Sequence, residues 1–312
     1  MSPYDQPIFD VVVIGELNTD LILSGDATPA FGQVEKLIDD ATLTIGSSSA
    51  IFACGAARLG LRTAFIGKVG DDTFGRFMLE SLNARGINTS GIIVDSHIKT
   101  GLSVMLSRGT DRAILTYPGS IAELHYNDID WNIVQHARHL HLGSYFLLDK
   151  LRPHIPDLFK TARQRGLSIS LDTNYDPNEK WNDNLQDTLQ NVDVFLPNEV
   201  ELHAIARTKD TASALRSLAH IPFVAVKTGA RGGTAQHKQE TVQAASIPVS
   251  VIDTTGAGDS FDAGFIYGYL NHWTAKQSLQ LACICGSLST RGIGGTAAQP
   301  TFPEAQAYLT SL

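Results

Sequence analysis

The chain has 312 residues, 43% of them hydrophobic, and a formal net charge of −8. This length suits one large α/β domain, and the acidic balance without a basic patch excludes a general nucleic-acid binder. The N-terminal residues lack a signal-peptide pattern, and no apolar run reaches the roughly 20 residues that a membrane-spanning helix needs. The three cysteines make no disulfide framework, so we expect a cytoplasmic protein with no membrane partner.

Strand-like and helical patterns alternate along most of the chain. Apolar runs typical of buried strands cover residues 9–14, 63–66, 140–142, 168–171, 192–196 and 223–226. Helical patterns separate most of these runs and cover residues 50–59, 74–85, 155–164 and 211–218. The alternation predicts a mostly parallel central sheet with helices on both faces.

Residues 17–45 and 98–117 break this alternation, because they read as strands and turns with no helix between them. In the second segment, two strands flank the run RGTD at 108–111, which we interpret as a hairpin loop. We expect a small β-sheet that closes over a site as a lid, inserted in a single domain spanning residues 1–312. The apolar lid strand at 102–106 predicts pairing with a second copy of the chain, and therefore a homodimer.

The most informative run is DTTGAGDSFDAGF, residues 253–265. Gly256, Ala257 and Gly258 are small and precede an apolar helical stretch, and free amides at a helix start form an anion site. Asp259 comes directly after them, where a carboxylate can accept a proton while the amides hold developing negative charge. A glycine-rich helix cap with an acid in its first turn is the alternative interpretation.

The complete run resembles the second signature of the ribokinase-like (PfkB) carbohydrate kinase family. The resemblance implies a three-layer α/β/α ribokinase-like fold with a mostly parallel sheet and a small β-sheet lid. It also implies that Asp259 is the catalytic base and that the main chain of Gly256, Ala257 and Gly258 forms an anion hole. Four motif regions follow one another in family order, so the resemblance extends over essentially the whole chain.

The segment GELNTD, residues 15–20, is similar to the family segment that binds the sugar. Asp20 stands where the family hydrogen-bonds sugar hydroxyls, with Asn18 beside it, and an ionised carboxylate can accept from two adjacent hydroxyls. A turn aspartate at the start of the lid is the alternative. Asn174, in the run DTNYDP that follows a strand, is a further candidate for substrate contact, although an Asp-Pro turn explains that run as well.

The stretch at 45–60 resembles the first family signature, and Gly46 and Ser47 are its candidate substrate contacts. Ser47 stands where a second glycine is common. Ile51 stands where the family often has an asparagine that contacts the substrate. The asparagine that makes the usual sugar contact is therefore absent at this position.

Two further motifs resemble the nucleotide site of the family. Asn198 and Glu201 in PNEVE match an NxxE motif, which implies that Glu201 acts through water on Mg²⁺ and that Asn198 lies near the phosphates of ATP. The loop of Lys227, Thr228, Gly229 and Gly232 is similar to the family's TxGxxG loop, which implies contacts with the nucleotide.

Asp253 and Thr255 are candidate ligands of K⁺, because many relatives hold this ion near the anion hole. Asp253 could equally serve only to close its loop.

The resemblance implies an ATP-dependent kinase that phosphorylates a hydroxymethyl group of a sugar or sugar-like molecule, with ATP, Mg²⁺ and K⁺ as candidate cofactors. Relatives use ribose, fructose, a keto-deoxy sugar acid or adenosine, so a nucleoside kinase and a non-catalytic sugar- or nucleotide-binding relative are alternatives. A dinucleotide-binding dehydrogenase is disfavoured because no GxGxxG follows the first strand. We could assign no arginine motif for an acidic ligand, so we expect a neutral substrate.

Overall fold

The computed structural model describes residues 7–108, 111–238 and 240–310. Its strands in these ranges are β1 Phe9–Ile14, β2 Asn18–Ser24, β3 Asp40–Ile45, β4 Thr63–Gly70, β5 Asn88–Asp95, β6 Gly101–Arg108, β7 Asp111–Tyr117, β8 Ala137–Leu142, β9 Ser168–Leu171, β10 Val194–Phe195, β11 Phe223–Lys227, β12 Gly233–His237 and β13 Glu240–Ala244. Its α-helices are α1 Ser48–Arg58, α2 Thr73–Asn83, α3 Trp131–Val134, α4 Ile155–Gln164, α5 Leu185–Leu189, α6 Glu199–Ala206, α7 Thr211–Ser217, α8 Ala257–Leu270, α9 Ala275–Ser289 and α10 Phe302–Leu309.

Nine strands form the large sheet, in the order β13-β12-β11-β10-β9-β8-β1-β4-β5. All pairs from β5 to β11 are parallel, while β12 and β13 extend one edge as an antiparallel hairpin. Side chains alternate across β1, so that Val11 and Val13 belong to one buried cluster and Val12 and Ile14 to another. Helices cover both clusters, and the predicted α/β fold class is confirmed.

Four strands form the small sheet, in the order β3-β2-β6-β7, and all of them lie within the two segments predicted to carry it. β6 and β7 pair antiparallel, as the hairpin prediction requires; Gly109 and Thr110 of its loop lie outside the described residues. The expectation that 102–106 is an exposed strand was wrong, because β6 pairs on both sides. The outer strand β7 instead exposes Ile114, Leu115 and Tyr117, and the homodimer stays a prediction.

Helix α8 packs closely on α9 and α1 through small residues. A side chain on Gly264 would come within 2.9 Å of the Cα of Ala282, and one on Gly268 within 2.5 Å of Ser278 Oγ. Gly55 of α1 faces Ala263 in the same way, at 3.0 Å. These approaches hold the start of α8 at one place in the fold.

Among the described helices, none has the length and apolar character to traverse a lipid bilayer.

Candidate active site

The large sheet gathers its polar loops at one edge. Glu16 comes two residues after β1, Ser144 two residues after β8, and Asp172 directly after β9. Asn198 follows β10, and Lys227 is the last residue of β11. Because these strands are parallel, their carboxyl ends meet, which is where open α/β sheets bind ligands.

The start of α8 carries unpaired main-chain donors. Gly256 adopts φ 71°, and a Cβ there would lie 2.6 Å from the Cα of Gly295, so this turn requires glycine. Within the described part of the chain, the amides of Gly256, Gly258 and Asp259 donate to no acceptor, while the Ala257 amide donates to the Thr254 carbonyl at 3.3 Å. These donors lie at the positive end of a long helix and can hold an anion.

Asp259 lies beside these amides, in the first turn of α8, and its side chain is almost fully buried. Its Oδ1 accepts a hydrogen bond from the hydroxyl of Ser48 at the start of α1. Burial, with the nearby charge of Asp172, raises the pKa of Asp259 to about 8. Once ionised, a carboxylate with this pKa is a stronger base than an ordinary aspartate and can take a proton from an alcohol.

Lys227 is the positive centre of a buried acidic cluster. Its Nζ lies 2.8 Å from Asp172 Oδ2 and 3.0 Å from Asp262 Oδ2. Burial opposes the charge, yet Asp172 and Asp262 raise the pKa of Lys227, so the ammonium stays protonated. The lysine chain also passes Gly258, where a Cβ would stand 3.4 Å from its Cδ. The positive charge therefore adjoins the free amides of α8.

The carboxylates of the buried acidic cluster lie close together. Asp172, Asp259 and Asp262 each contribute one carboxylate oxygen, and these three oxygens lie within 4.8 Å of one another. Burial raises the pKa of Asp262 well above its usual range, and the hydrogen bond to Asp172 raises it further. Asp262 Oδ1 is buried and has no hydrogen-bond partner among the described residues.

Three of the predicted sugar contacts lie together. Asn18 Nδ2 donates to Asp20 Oδ1 at 3.0 Å. A Cβ on Gly46 would stand 2.2 Å from the same Asp20 oxygen and 2.5 Å from Asn18 Nδ2. Burial raises the pKa of Asp20 to about 7. The three residues thus form a buried polar cluster where β2 begins and β3 ends.

The other two predicted sugar contacts are held by Glu16, a buried residue that the sequence analysis did not select. Ser47 Oγ donates to the Glu16 carbonyl at 2.6 Å and caps α1. Ser144 Oγ donates to Glu16 Oε1 at 2.8 Å and accepts from Asn174 Nδ2 at 3.1 Å. Burial raises the pKa of Glu16. Glu16 therefore fixes the loops after β1, β3, β8 and β9 relative to one another.

Asn198 and Glu201 form a reciprocal cap on α6. The Asn198 amide donates to Glu201 Oε2 at 2.9 Å, and the Glu201 amide donates to Asn198 Oδ1 at 2.9 Å. Burial and the charge of Asp172 raise the pKa of Glu201 to about 7. Together with Asp172 and Asp259, it gives this region more acidic groups than Lys227 can balance, which suits a divalent cation.

A cleft of about 390 Å³ opens beside Gly258. Its walls are mainly apolar and include Val249, Phe261 and Cys283. Gly229 and Gly232 of the predicted nucleotide loop also line it. The described hydrogen bonds give the Thr228 side chain no protein partner, while its main chain pairs with Gly232 at 3.0 Å. The cleft has the character of a site for a flat apolar ring next to an anion site.

Arg112 of β7 contacts the loop before α8. Its Nη1 donates to Thr255 Oγ1 at 2.7 Å and lies 3.5 Å from Asp253 Oδ1. Asp253 also accepts from the amides of Thr255 and Gly294. Asp253 thus closes its loop, and a guanidinium stands where a cation between the two side chains would be. The pair does not fit K⁺ in this arrangement, because two positive charges would share one small site.

Sequence reasoning missed Glu16, Asp172, Arg112 and the role of Lys227 as an ion-pair partner. Signals for two of them were present: Glu16 lies inside GELNTD, and Asp172 opens the loop after β9. Acids at the carboxyl end of parallel strands are candidates by position alone. Arg112 carried no comparable signal.

Comparison with known proteins agrees with this geometry. The family described as "pfkB family carbohydrate kinase" matches residues 9–301. A 5-dehydro-2-deoxygluconokinase from Geobacillus kaustophilus is 30% identical over 327 residues, covering 98% of this chain and 96% of the relative. Fructokinase-2 of Solanum habrochaites is 28% identical over 288 residues, covering 85% of this chain and 86% of the relative. An E. coli structure described as a ribokinase II with ATP and Mg²⁺ has a TM-score of 0.87 at 23% identity, covering 98% of this chain and 100% of that one.

Proposed function

Because this chain belongs to the pfkB family of carbohydrate kinases, we propose that it transfers the γ-phosphoryl group of ATP to a hydroxymethyl group of a sugar. Membership makes it a sugar kinase of ribokinase-like fold, a phosphotransferase that acts on an alcohol. The observation that carries the finer proposal is the pairing of Asp259 with unbonded amides at the start of α8.

Asp259 takes the proton of the attacking hydroxyl, and the amides of Gly256 and Gly258 hold the charge that develops on the transferred group. Lys227 adds a fixed positive charge beside Gly258. These groups are in place before the reaction begins, so little reorganisation is needed when charge develops. Ser48 donates to Asp259, and the acceptor hydroxyl replaces it there.

The sugar binds against Asp20, Asn18 and Gly46, where carboxylate and amide groups match adjacent hydroxyls. Asn174 and Ser47 border this surface through the Glu16 network. The nucleotide occupies the cleft beside Gly258, which Lys227, Gly229 and Gly232 line. Thr228 is the residue between Lys227 and Gly229 in the same loop.

The acidic excess around Glu201 and Asp172 fits Mg²⁺. Glu201, oriented by Asn198, would hold it through water, and the ion supplies charge neutralisation for the phosphates when bound. The residues of the chain itself position the alcohol and remove its proton.

An ADP-release screen tests this function. The purified chain is given ATP and Mg²⁺ with fructose, 5-dehydro-2-deoxygluconate, ribose or adenosine. We expect release with a sugar well above the rate without acceptor, together with a phosphorylated product. Release only with adenosine would support the nucleoside alternative. If none of the four acceptors raises ADP release, the non-catalytic alternative is supported.

The activity should depend on pH through Asp259. The base acts only when ionised, and its raised pKa delays ionisation to about pH 8. We therefore expect kcat/KM to rise with pH, about tenfold per unit well below that pKa, and to level off above it. Asp20 and Glu201, with pKa values of about 7, steepen the rise. A kcat/KM that stays constant between about pH 6 and pH 9 would contradict this role.

Activity should not require K⁺, because Arg112 already supplies a positive charge to Asp253 and Thr255. We expect rates in K⁺ and Na⁺ buffers to agree within about twofold. Arg112→Ala should lose activity in Na⁺ and regain part of it in K⁺, since the variant vacates that position. Strong activation of the unaltered enzyme by K⁺ would show that the ion binds despite Arg112.

A further inference from the structure

Three consecutive serines, Ser47 to Ser49, lie at the start of α1. Only the middle one contacts Asp259, the proposed base. Ser47 Oγ donates to the Glu16 carbonyl at 2.6 Å and accepts from the Ala50 amide at 2.9 Å. Ser49 Oγ donates to Glu16 Oε2 at 2.5 Å and is fully buried. Ser48 is half-buried, and in the described part of the chain its hydroxyl has a single partner, Asp259 Oδ1.

The side chain of serine is itself a hydroxymethyl group. Ser48 therefore presents to Asp259 the same chemical group, in the same hydrogen bond, that the proposed reaction needs from its acceptor. The unbonded amides of Gly256 and Gly258 lie at the start of the helix that carries this base. An alcohol, a base and an anion site are thus assembled without any sugar.

We propose that Ser48 is a self-phosphorylation site: with ATP bound and no sugar present, the enzyme transfers the γ-phosphoryl group to its own serine. This inference rests on the proposed kinase function. A bond forms between Ser48 Oγ and the γ-phosphorus, while the bond from that phosphorus to the bridging β,γ-oxygen breaks. ADP leaves with the electron pair, and the hydroxyl proton passes to Asp259 and then to solvent.

A phosphate on Ser48 would be stabilised by one neighbour, the start of α1, and destabilised by the acidic groups of the site. Ser48 is the first residue of α1, and a phosphate at a helix start is stabilised by the helix dipole. Asp259, Asp172 and Glu16 are acidic groups of the same site and oppose the new charge. The phosphate would also occupy the oxygen of Asp259 that the sugar hydroxyl needs. Modification of Ser48 therefore inactivates the enzyme, and a bound sugar protects it by displacing the serine hydroxyl.

The test incubates the full chain with ATP and Mg²⁺ without sugar, and follows intact mass, fragment mass and remaining kinase activity. We expect the mass to rise by one phosphoryl group, located on Ser48 rather than Ser47 or Ser49. Activity should fall in proportion to the modified fraction. Addition of fructose or 5-dehydro-2-deoxygluconate, whichever supports ADP release, should slow both changes.

Variants separate the chemistry from chance labelling. Ser48→Ala should abolish the phosphate at this position. Asp259→Asn should slow its formation at least about 100-fold, because the serine remains but its base is lost. Ser213→Ala, a substitution near the start of α7, should label like the unaltered chain. Enzyme that phosphorylates a sugar but carries no phosphate on Ser48 after prolonged incubation would overturn the inference alone. If no acceptor supports ADP release, the proposed function itself fails.

Discussion

Replacing Asp259 with Asn should lower kcat at least about 100-fold, because the variant keeps the shape of the side chain but cannot accept the proton of the acceptor hydroxyl. Nucleotide binding should remain, since the donors for the phosphate are main-chain amides of Gly256 and Gly258 that the substitution leaves in place. The measurement is steady-state ADP release with sugar, together with a direct titration of ATP binding.

Asp157→Asn is the matched control, because Asp157 is an exposed first-turn acid of another helix, α4. It should retain the activity of the unaltered chain.

The Asp259 variant should also be at least as stable as the unaltered chain near pH 8. Burial raises the pKa of Asp259 from 3.8 to about 8, so the free energy of unfolding falls as the pH rises between these values, because the unfolded carboxyl ionises first. Asparagine does not ionise and removes that penalty. Unchanged turnover in Asp259→Asn would remove this residue from the reaction.

Replacing Lys227 with Met should destabilise the fold by about 3–5 kcal/mol, because it leaves Asp172 buried without its positive partner. The unfolding midpoint should fall on the order of 10 °C, and kinase activity should fall with it, since the positive charge beside Gly258 is lost. Thermal and urea unfolding measure the first effect. Lys160→Met, at an exposed position of α4, should leave the midpoint nearly unchanged.

A double variant distinguishes lost charge balance from lost packing. Lys227→Met combined with Asp172→Asn removes both charges, so it should be more stable than Lys227→Met alone. The stability of the single variant should also recover at low pH, where Asp172 takes up a proton and its burial costs less. If the free energy of unfolding of Lys227→Met lies within about 1 kcal/mol of that of the unaltered chain at neutral pH, charge pairing does not stabilise the cluster.

Much of the site was predictable because its motifs are local in sequence. Gly256, Gly258 and Asp259 lie within four positions of one another, and the glycine conformation at the start of α8 follows from that order. Asp20, Asn18 and Gly46 come together because β2 and β3 pair antiparallel, which places the start of β2 beside the residue that follows β3. The alternation of strands and helices likewise predicts the parallel sheet.

What sequence reasoning missed depends on contacts between distant segments. Ser48 and Asp259 are 211 positions apart, and Arg112 and Thr255 are 143 apart. No periodicity links such pairs; their meeting follows from how the small sheet and α1 pack against α8. Lys227 was assigned to the nucleotide from its loop, whereas its ammonium pairs with two buried acids that only the folded sheet brings near.

The structure also explains the two departures from the family pattern, Ile51 and Ser47. Ile51, where an asparagine is common, packs against the anion-hole loop: Cβ atoms built on Gly256 and Gly295 would come within 2.8 and 2.4 Å of its side chain. Ser47 uses its hydroxyl to cap α1 and bind the Glu16 carbonyl. Both substitutions therefore support the main chain around the site, and neither removes Asp20 or Asp259.

The most direct test is a crystal structure of the chain with Mg²⁺ and a non-hydrolysable ATP analogue. The account predicts that the terminal phosphate accepts hydrogen bonds from the amides of Gly256 and Gly258, with the carboxylate of Asp259 facing it across the space for an alcohol. A terminal phosphate bound elsewhere, or an Asp259 side chain shielded from the cleft by protein, would contradict it.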